Sequence, residues 1–284
     1  MSRLTFPAPE ADLLEPHLPI HDISSSPVSS SRPFVTLTFA TSLDSALSLG
    51  PGIRTALSGP QSKAMTHYLR SRHDAICIGV GTAIADDPGL NCRLDAASRR
   101  GPGTSEKAQH PRPIIIDPRL RWDFSRDNKI FQLVRGGDGL APFIITAVTN
   151  PSAEKVKILE DHGGKFIVLN SSPASTLSSA TIPSTSDTLD WLAILAAVRQ
   201  QGLHSIMIEG GGTVINSLLA SQNKTLVDSV IITIAPTWLG KGSVVVSPEQ
   251  EVEKRTGQRA LGPRLTGVRW IPLGEDVVVC GRLQ

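Results

Sequence analysis

Short apolar segments rich in Val and Ile alternate with amphipathic segments along most of this 284-residue chain. The clearest apolar segment is 227–235, whose nearly unbroken run of β-branched residues is typical of a strand buried on both faces. Helical spacing is clearest in 188–201, where apolar residues recur every three or four positions until Gly202. Strands separated by helices predict an α/β fold.

The predicted elements cover most of the chain after residue 32. Strands are predicted at 34–40, 75–80, 113–116, 143–147, 166–169, 205–208, 227–235, 243–246 and 277–280. Helices are predicted at 60–72, 150–163, 188–201 and in a segment that ends near 220, and loops at 98–112 and 170–187. Residues 1–31 contain five prolines and seven serines without sustained periodicity. We therefore predict a disordered, dispensable tail over 1–31 and a single domain over 32–284.

Composition excludes several classes of function. Lys+Arg number 28 and Asp+Glu 26, so the formal net charge of +2 gives no electrostatic case for nucleic acid or an acidic membrane as partner. No apolar run approaches the roughly 20 residues of a transmembrane helix, and the N-terminus lacks the apolar region of a signal peptide. The three cysteines form no C-x-x-C pair, which excludes zinc ribbons and thioredoxin-like redox motifs, and an odd, sparse set of cysteines suits a reducing compartment. We expect a cytoplasmic protein.

Two glycine-rich turns follow predicted strands and lead into helical patterns. The first is Gly79-Val80-Gly81-Thr82, and the second is Gly210-Gly211-Gly212-Thr213. Such turns hold phosphates in α/β proteins, because backbone N–H groups and the helix dipole face the anion. The first turn has Ile84 where the dinucleotide-binding fingerprint has its third glycine, and no lysine follows the second as it would in a P-loop. Both ligand binding and tight helix–strand packing remain open for each turn.

Asp86 and Asp87 form a carboxylate pair just after the first turn. Such a pair is suited to acid–base work or to metal binding. It is equally typical of an Asp-Pro turn with solvated carboxylates, because Pro88 follows. The zinc-ligand pattern of nucleobase deaminases and the G-x-S-x-G elbow of many hydrolases are both absent from the sequence.

Five segments in order resemble one known family. They are Arg32-Pro33-Phe34-Val35 leading to Ser42-Leu43-Asp44; Leu69-Arg70, Asp74-Ala75 and Gly79-Val80-Gly81-Thr82 with Asp86-Asp87-Pro88-Gly89-Leu90; Arg112-Pro113-Ile114-Ile115-Ile116-Asp117; Ile208-Glu209-Gly210-Gly211-Gly212-Thr213; and Val227-Asp228 to Ala235-Pro236 with Leu239-Gly240. Together they resemble the riboflavin-biosynthesis reductases, which include the reductase domain of bacterial bifunctional deaminase-reductases and stand-alone archaeal and fungal enzymes. The resemblance spans about 32–282, and the run Met65-Thr66-His67-Tyr68-Leu69-Arg70 is most similar to the fungal members.

The resemblance implies an α/β, dihydrofolate-reductase-like fold with a mostly parallel central sheet flanked by helices. It also implies reduction of the ribosylamino group of 2,5-diamino-6-ribosylamino-4(3H)-pyrimidinone 5′-phosphate to a ribitylamino group. The expected cofactor is NADPH, with NADH as the alternative, and no metal is expected because the hydride belongs to the cofactor. The expected partners are this small pyrimidine ribotide and a second copy of the chain. The homodimer is also favoured by the apolar run 230–234.

The same resemblance assigns the site residues. The cofactor contacts implied by it are Ala40, Thr82, Asp86, Ile145, Thr146, Gly210, Gly211, Gly212, Thr213 and Val214. The implied substrate contacts are Arg70, Leu90, Arg93 and Glu209. For each arginine the alternative is an ordinary surface ion pair. The chain departs from the family pattern at Ser45-Ala46, where many members have Gly and a basic residue, and at Arg54, where some bacterial members have Trp.

Glu209 is the candidate catalytic residue. It follows a predicted strand and precedes three glycines, and ligands of open α/β sheets gather at the carboxyl ends of strands. It is expected either to accept hydrogen bonds from the substrate or to stabilise a cationic imine at C1′, whereas the alternative is a carboxylate that caps the following helix. Two other functions stay open at this stage: a similar reductase of another pyrimidine or pterin, and a nucleotide-binding relative without activity.

Overall fold

A computed structural model describes residues 3–20, 31–99, 110–169, 189–248, 259 and 262–284. Most of the predicted loops 98–112 and 170–187 therefore lies outside the described residues. The strands are β1 Phe34–Thr41, β2 Ala46–Ser48, β3 Ala75–Gly79, β4 Arg112–Ile116, β5 Phe143–Thr146, β6 Lys165–Val168, β7 Ser205–Gly210, β8 Ser229–Ile234, β9 Val244–Val245, β10 Leu265–Leu273 and β11 Asp276–Leu283. The helices are α1 Ala8–Leu14, α2 Pro60–Ser71, α3 Val80–Asp86, α4 Lys129–Arg135, α5 Ala153–Asp161, α6 Trp191–Gln200 and α7 Gly212–Leu219.

Among the described residues, nine strands form one sheet in the order β10-β11-β8-β1-β7-β3-β4-β5-β6. All strands from β8 to β6 in this order run parallel, whereas β11 and β10 are antiparallel to their neighbours. The predicted mostly parallel sheet flanked by helices is thus confirmed. The predicted buried strand 227–235 is β8, which lies inside the sheet between β11 and β1.

Side chains of the central strands alternate between two apolar cores, one on each face of the sheet. Met207 on β7 packs in the core that also holds Leu69 of α2 and Phe131 of α4. Its neighbours Ile206 and Ile208 pack in the other core, with α6 and α7. This alternation follows from the two-residue period of a strand.

Residues 3–20 are folded, so the prediction of a disordered tail over 1–31 is wrong for this part of the chain. They contain α1 and a 3₁₀ turn, Glu15–His17. Phe6, Ala11, Leu14 and Leu18 are at most 4% exposed and pack in the same core as α2. The spacing of Ala11, Leu14 and Leu18 is helical, but the prolines around it obscure this pattern. Proline is compatible with the first turn of a helix, where the missing N–H group has no intrahelical acceptor.

No helix within the described ranges is long and apolar enough to cross a membrane.

We expect the substitution Leu14→Ala to lower the free energy of unfolding by about 2–5 kcal/mol, because it removes a buried side chain and leaves a cavity. Its neighbour Leu13 is 38% exposed, and Leu13→Ala is the matched control, with an expected loss under about 1 kcal/mol. Urea denaturation of both variants measures the difference. Equal losses would contradict the docking of α1 on the core.

Candidate active site

The candidate site lies where neighbouring parallel strands end. β7 lies between β1 and β3, and Ile78 of β3 is paired with Gly210 of β7. α3 begins immediately after Gly79, and α7 begins two residues after Gly210. The two glycine-rich turns found in the sequence therefore lie side by side. The Thr82 hydroxyl of α3 joins them by donating a hydrogen bond to the Gly210 carbonyl at 3.4 Å.

The second turn needs its glycines for conformation as well as for space. Gly210 and Gly211 have φ values of +103° and +94°, where other residues are strained. A Cβ at Gly210 would lie 2.6 Å from Cδ1 of Ile215, and one at Gly212 would lie 2.7 Å from Cγ1 of Val244. Close packing with the protein therefore explains these glycines by itself, and a role in ligand binding must rest on other groups.

Those groups are the backbone amides at the start of α7. Among the described residues no side chain caps this helix, and its first turn has no acidic residue. The first hydrogen bond of the helix is donated by Ile215 N to Gly211 O at 3.0 Å, which leaves the preceding amides of the first turn for other acceptors. Together with the helix dipole, they favour an anion such as a diphosphate. The Val214 side chain is 9% exposed and packs against Gly79, so only its main chain is suited to this role.

The two aspartates after the first turn have different roles. Asp87 has φ +39°, and its carboxylate accepts hydrogen bonds from Asn128 Nδ2 at 2.9 Å and Lys129 N at 3.1 Å. The turn interpretation is therefore correct for Asp87, which holds the start of α4. Asp86 is the last residue of α3. Burial raises the pKa of its carboxyl, while the charge of Arg54 acts in the opposite direction, so Asp86 remains a candidate for ligand binding.

Arg70 and Glu209, two predicted substrate contacts, form a bidentate ion pair. Arg70 Nε and Nη2 donate to the two oxygens of Glu209 at 2.9 and 2.7 Å, and Nη1 donates to the Asn91 carbonyl at 3.1 Å. Their side chains are only 14% and 18% exposed. The Glu209 side chain faces α2, because both of its oxygens accept hydrogen bonds from Arg70 in the last turn of that helix. The structure thus contradicts the interpretation of Glu209 as a cap of α7, which packs on the other face.

Arg93 is held by His67, a residue that the sequence analysis did not single out. Arg93 N donates to His67 Nδ1 at 3.0 Å, and Arg93 Nε lies 3.2 Å from His67 Nε2. Burial, followed by the charges of Arg70 and Arg93, lowers the pKa of His67 to about 3, so its ring is neutral at pH 7. A neutral imidazole has a single acceptor nitrogen. Because Nδ1 accepts from the Arg93 main chain, Nε2 carries the ring proton and cannot also accept from Arg93 Nε. The Arg93 guanidinium therefore stays available for an anion.

Four further predicted contacts have unequal access to a ligand. Ala40 lies near the carboxyl end of β1 and is partly exposed. Leu90, with φ +50°, has a side chain buried in the α2 core. Ile145 and Thr146 are 0% exposed, and the Thr146 hydroxyl donates to Pro118 O at 3.2 Å. A cofactor cannot touch these two residues in this conformation, so that part of the prediction is not supported.

Several aspartates of the family-like segments stabilise the scaffold. Asp44 accepts hydrogen bonds from Ser42 Oγ at 2.5 Å, from Leu239 N at 3.1 Å and from Gly240 N at 2.8 Å. These bonds lower the pKa of Asp44 to about 2. Asp228 pairs with Arg32 at 2.6 Å. The first and the fifth of the five family-like segments are therefore joined by hydrogen bonds at both ends of β1.

The described residues contain no group of three or more His, Cys, Asp or Glu side chains arranged to hold a metal ion.

Relatives and solved structures resemble the chain over nearly its whole length. A reductase from Debaryomyces hansenii is 38% identical over 255 residues, which cover 89% of this chain and 91% of the relative. One from Eremothecium gossypii is 38% identical, with 96% of both chains covered. Both are named 2,5-diamino-6-ribosylamino-4(3H)-pyrimidinone 5′-phosphate reductase.

The structure of the Saccharomyces cerevisiae riboflavin biosynthesis reductase Rib7 superposes with a TM-score of 0.69 at 30% identity and covers 96% of this chain and 98% of that one. Acinetobacter baumannii RibD, at 21% identity, covers 90% of this chain and 59% of its own, with a TM-score of 0.64, and shows the shared fold. The predicted dihydrofolate-reductase-like fold is confirmed. The sequence profile of the RibD C-terminal domain matches residues 33–279, and the chain belongs to this family.

Proposed function

We propose that this chain catalyses the NADPH-dependent reduction of the ribosylamino group of 2,5-diamino-6-ribosylamino-4(3H)-pyrimidinone 5′-phosphate to a ribitylamino group. The names of the fungal relatives and their full-length similarity support this substrate. The observation that carries the proposal is the end of β7. There an uncapped helix N-terminus suited to a diphosphate directly follows Glu209, whose side chain faces the opposite side of the sheet with Arg70. A cofactor and a substrate bound to these two groups would meet at one strand end.

The cofactor side consists of the residues around the two turns. The amides of Gly211, Gly212, Thr213 and Val214 would hold the diphosphate, with Gly210, Thr82, Asp86 and Ala40 nearby. When bound, the nicotinamide supplies the hydride for C1′ of the opened sugar. The protein supplies position and electrostatics, which are the main contributions of an enzyme to cofactor chemistry.

The substrate side consists of Arg70, Arg93, Glu209 and the main chain around Leu90. We assign the 5′-phosphate to Arg93, because a guanidinium can bind a phosphate through two parallel hydrogen bonds. Arg70 already neutralises Glu209, so the carboxylate has less charge to offer a cationic imine at C1′. Each carboxylate oxygen has more than one acceptor site. Glu209 is therefore better suited to accepting hydrogen bonds from ribose hydroxyls or pyrimidine amino groups.

The test is NADPH oxidation by the purified protein with the ribosylaminopyrimidine phosphate as substrate. We expect the product to be heavier than the substrate by two hydrogens in mass spectrometry. The controls omit the substrate, replace NADPH by NADH, or replace the substrate by dihydrofolate. Turnover of dihydrofolate alone would favour a pterin reductase, and binding of NADPH without turnover of any substrate would favour a non-catalytic relative.

The roles of Arg70 and Glu209 can be separated by Glu209→Gln, Arg70→Gln and the double variant. If the pair contacts the substrate, each variant should raise the substrate KM by about tenfold or more, since a hydrogen bond to a charged group contributes about 1.5–3 kcal/mol. The double variant should then remain impaired. If the pair only stabilises the fold, the double variant should recover wild-type kinetics, because two amides of similar size leave no buried charge unpaired. Steady-state kinetics and thermal melts decide between the two.

We also propose a homodimer formed through the sheet face beside α6 and α7. The apolar run of β8 is largely enclosed, but Ile232 and Ile234 on this face are only partly buried. Trp270 of the edge strand β10 is paired in register with Val279 on the same face and is 61% exposed. A partly exposed apolar sheet face is typical of a subunit interface. The free, buried cysteines support a reducing, cytoplasmic location.

Sedimentation velocity tests the dimer. We expect Trp270→Glu to shift the protein toward monomer at micromolar concentration, because a carboxylate would be buried without a partner. Trp238 is 71% exposed and lies outside the strands of the sheet, after β8, so Trp238→Glu serves as the control and should remain dimeric. A monomeric wild type, or equal effects of both substitutions, would contradict the proposed interface.

A further inference from the structure

We propose that the N-terminal residues 3–6 position Arg93 for the substrate phosphate, so that this segment belongs to the substrate side of the site. The inference rests on the proposed function, in which Arg93 contacts the substrate. Residues 3–6 would then have a specific role in substrate binding and would not be part of a dispensable tail.

The main chain of Leu4 lies against the segment that carries Arg93. Leu4 N donates to Arg93 O at 2.9 Å, and Asp95 N donates to Leu4 O at 2.9 Å. These two bonds form a parallel bridge between Leu4 and Leu94. The carbonyl of Arg93 is thus fixed by the N-terminal segment, while its amide is fixed by His67 from α2.

Two more hydrogen bonds lock the same contact. The Thr5 hydroxyl donates to Asp95 Oδ2 at 2.7 Å, and Phe6 N donates to Ser98 Oγ at 3.0 Å. Asp95 Oδ1 in turn accepts from Ser98 N at 2.8 Å. Three consecutive N-terminal residues therefore hold the stretch 93–98, which belongs to no helix or named strand.

The N-terminal residues also contact the helix that carries Arg70. The rings of Phe6 and Tyr68 are 5.1 Å apart, and Tyr68 donates a hydrogen bond to Glu15. Glu15 also accepts from Arg72 Nη2 at 2.8 Å. The beginning of the chain thus fastens both α2 and the 93–98 stretch, which together supply the arginines of the proposed substrate side.

The physical consequence follows from the geometry of phosphate binding. A guanidinium binds a phosphate strongly only when its planar donors meet two oxygens, so the main chain of Arg93 must be held in one place before the substrate arrives. An irregular segment has no ladder of its own to provide this rigidity. Without the Leu4 and Thr5 bonds, part of the binding free energy would be spent on ordering the 93–98 stretch.

The test compares substitutions that remove these bonds with controls that keep them. Leu4→Pro removes the N–H that donates to Arg93 while it keeps an apolar side chain. Thr5→Val keeps the shape of threonine but removes the hydroxyl that donates to Asp95. Thr5→Ser is the matched control, because it keeps that hydroxyl. Leu14→Ala is the control for lost stability, since Leu14 lies in the adjoining helix α1 and packs in the core but makes none of these hydrogen bonds.

We expect Leu4→Pro and Thr5→Val to raise the substrate KM about 5- to 20-fold, with an unchanged Kd for NADPH and less than a twofold change in kcat. Thr5→Ser should have the wild-type KM. Leu14→Ala should lower the melting temperature with an unchanged KM. An unchanged KM in Thr5→Val, or an equal rise of KM in Leu14→Ala, would overturn the inference. If Leu4→Pro does not fold, the Thr5 pair decides the question.

A binding measurement separates this inference from the proposed function. Calorimetric titration with ribose 5-phosphate probes the phosphate contact without requiring turnover. Weaker binding by Thr5→Val than by Thr5→Ser supports the positioning role even if the ribosylaminopyrimidine proves not to be a substrate. Equal binding by the two variants, together with wild-type turnover of the ribosylaminopyrimidine, would overturn the inference and leave the proposed function intact.

Discussion

The parallel pairing of β7 between β1 and β3 is the constraint on which the rest of the structure depends. Ile206, Met207 and Ile208 are 0% exposed, so β7 is buried by helices on both faces and by strands on both edges. The next residue, Glu209, lies on the face of α2, where it pairs with Arg70. The chain then has to turn out of the sheet within a few residues, and the positive φ values of Gly210 and Gly211 allow this turn.

That constraint separates the two ligands of the proposed reaction. α7 starts on one face of the sheet, and no side chain in the described part of the chain caps its first amides, which suits an anion. Glu209 lies on the other face, paired with Arg70 and close to the segment that carries Arg93. A strand that ends between a helix N-terminus suited to an anion and an ion pair would let the dinucleotide and the phosphorylated sugar of the proposed reaction meet.

Most of the carboxylates that the sequence brings to attention have structural partners. Asp44, Asp87 and Asp228 each accept a hydrogen bond from a main-chain amide, which belongs to Gly240 after β8, to Lys129 at the start of α4 and to Val35 near the start of β1, respectively. Such bonds satisfy backbone donors at element ends and in loops. Two carboxylates remain candidates for ligand contact: Asp86, whose pKa is raised by burial, and Glu209, which is paired with Arg70. A sequence motif therefore identifies important positions, but only the contacts show whether a residue there stabilises the fold or is available to a ligand.

The sequence by itself determined the α/β class, the central strand β8, both glycine turns and the family, because periodicity and turn residues are local signals. It did not reveal β10, where Gly267 and Pro272 interrupt the strand pattern, or the folded N-terminus, where prolines mask the spacing of Ala11, Leu14 and Leu18. Only the tertiary structure decided that Arg70 pairs with Glu209, that His67 and Leu4 hold Arg93, and that Ile145 and Thr146 are buried. These outcomes depend on contacts between residues far apart in the chain, and a local pattern cannot specify which distant partner a side chain will meet.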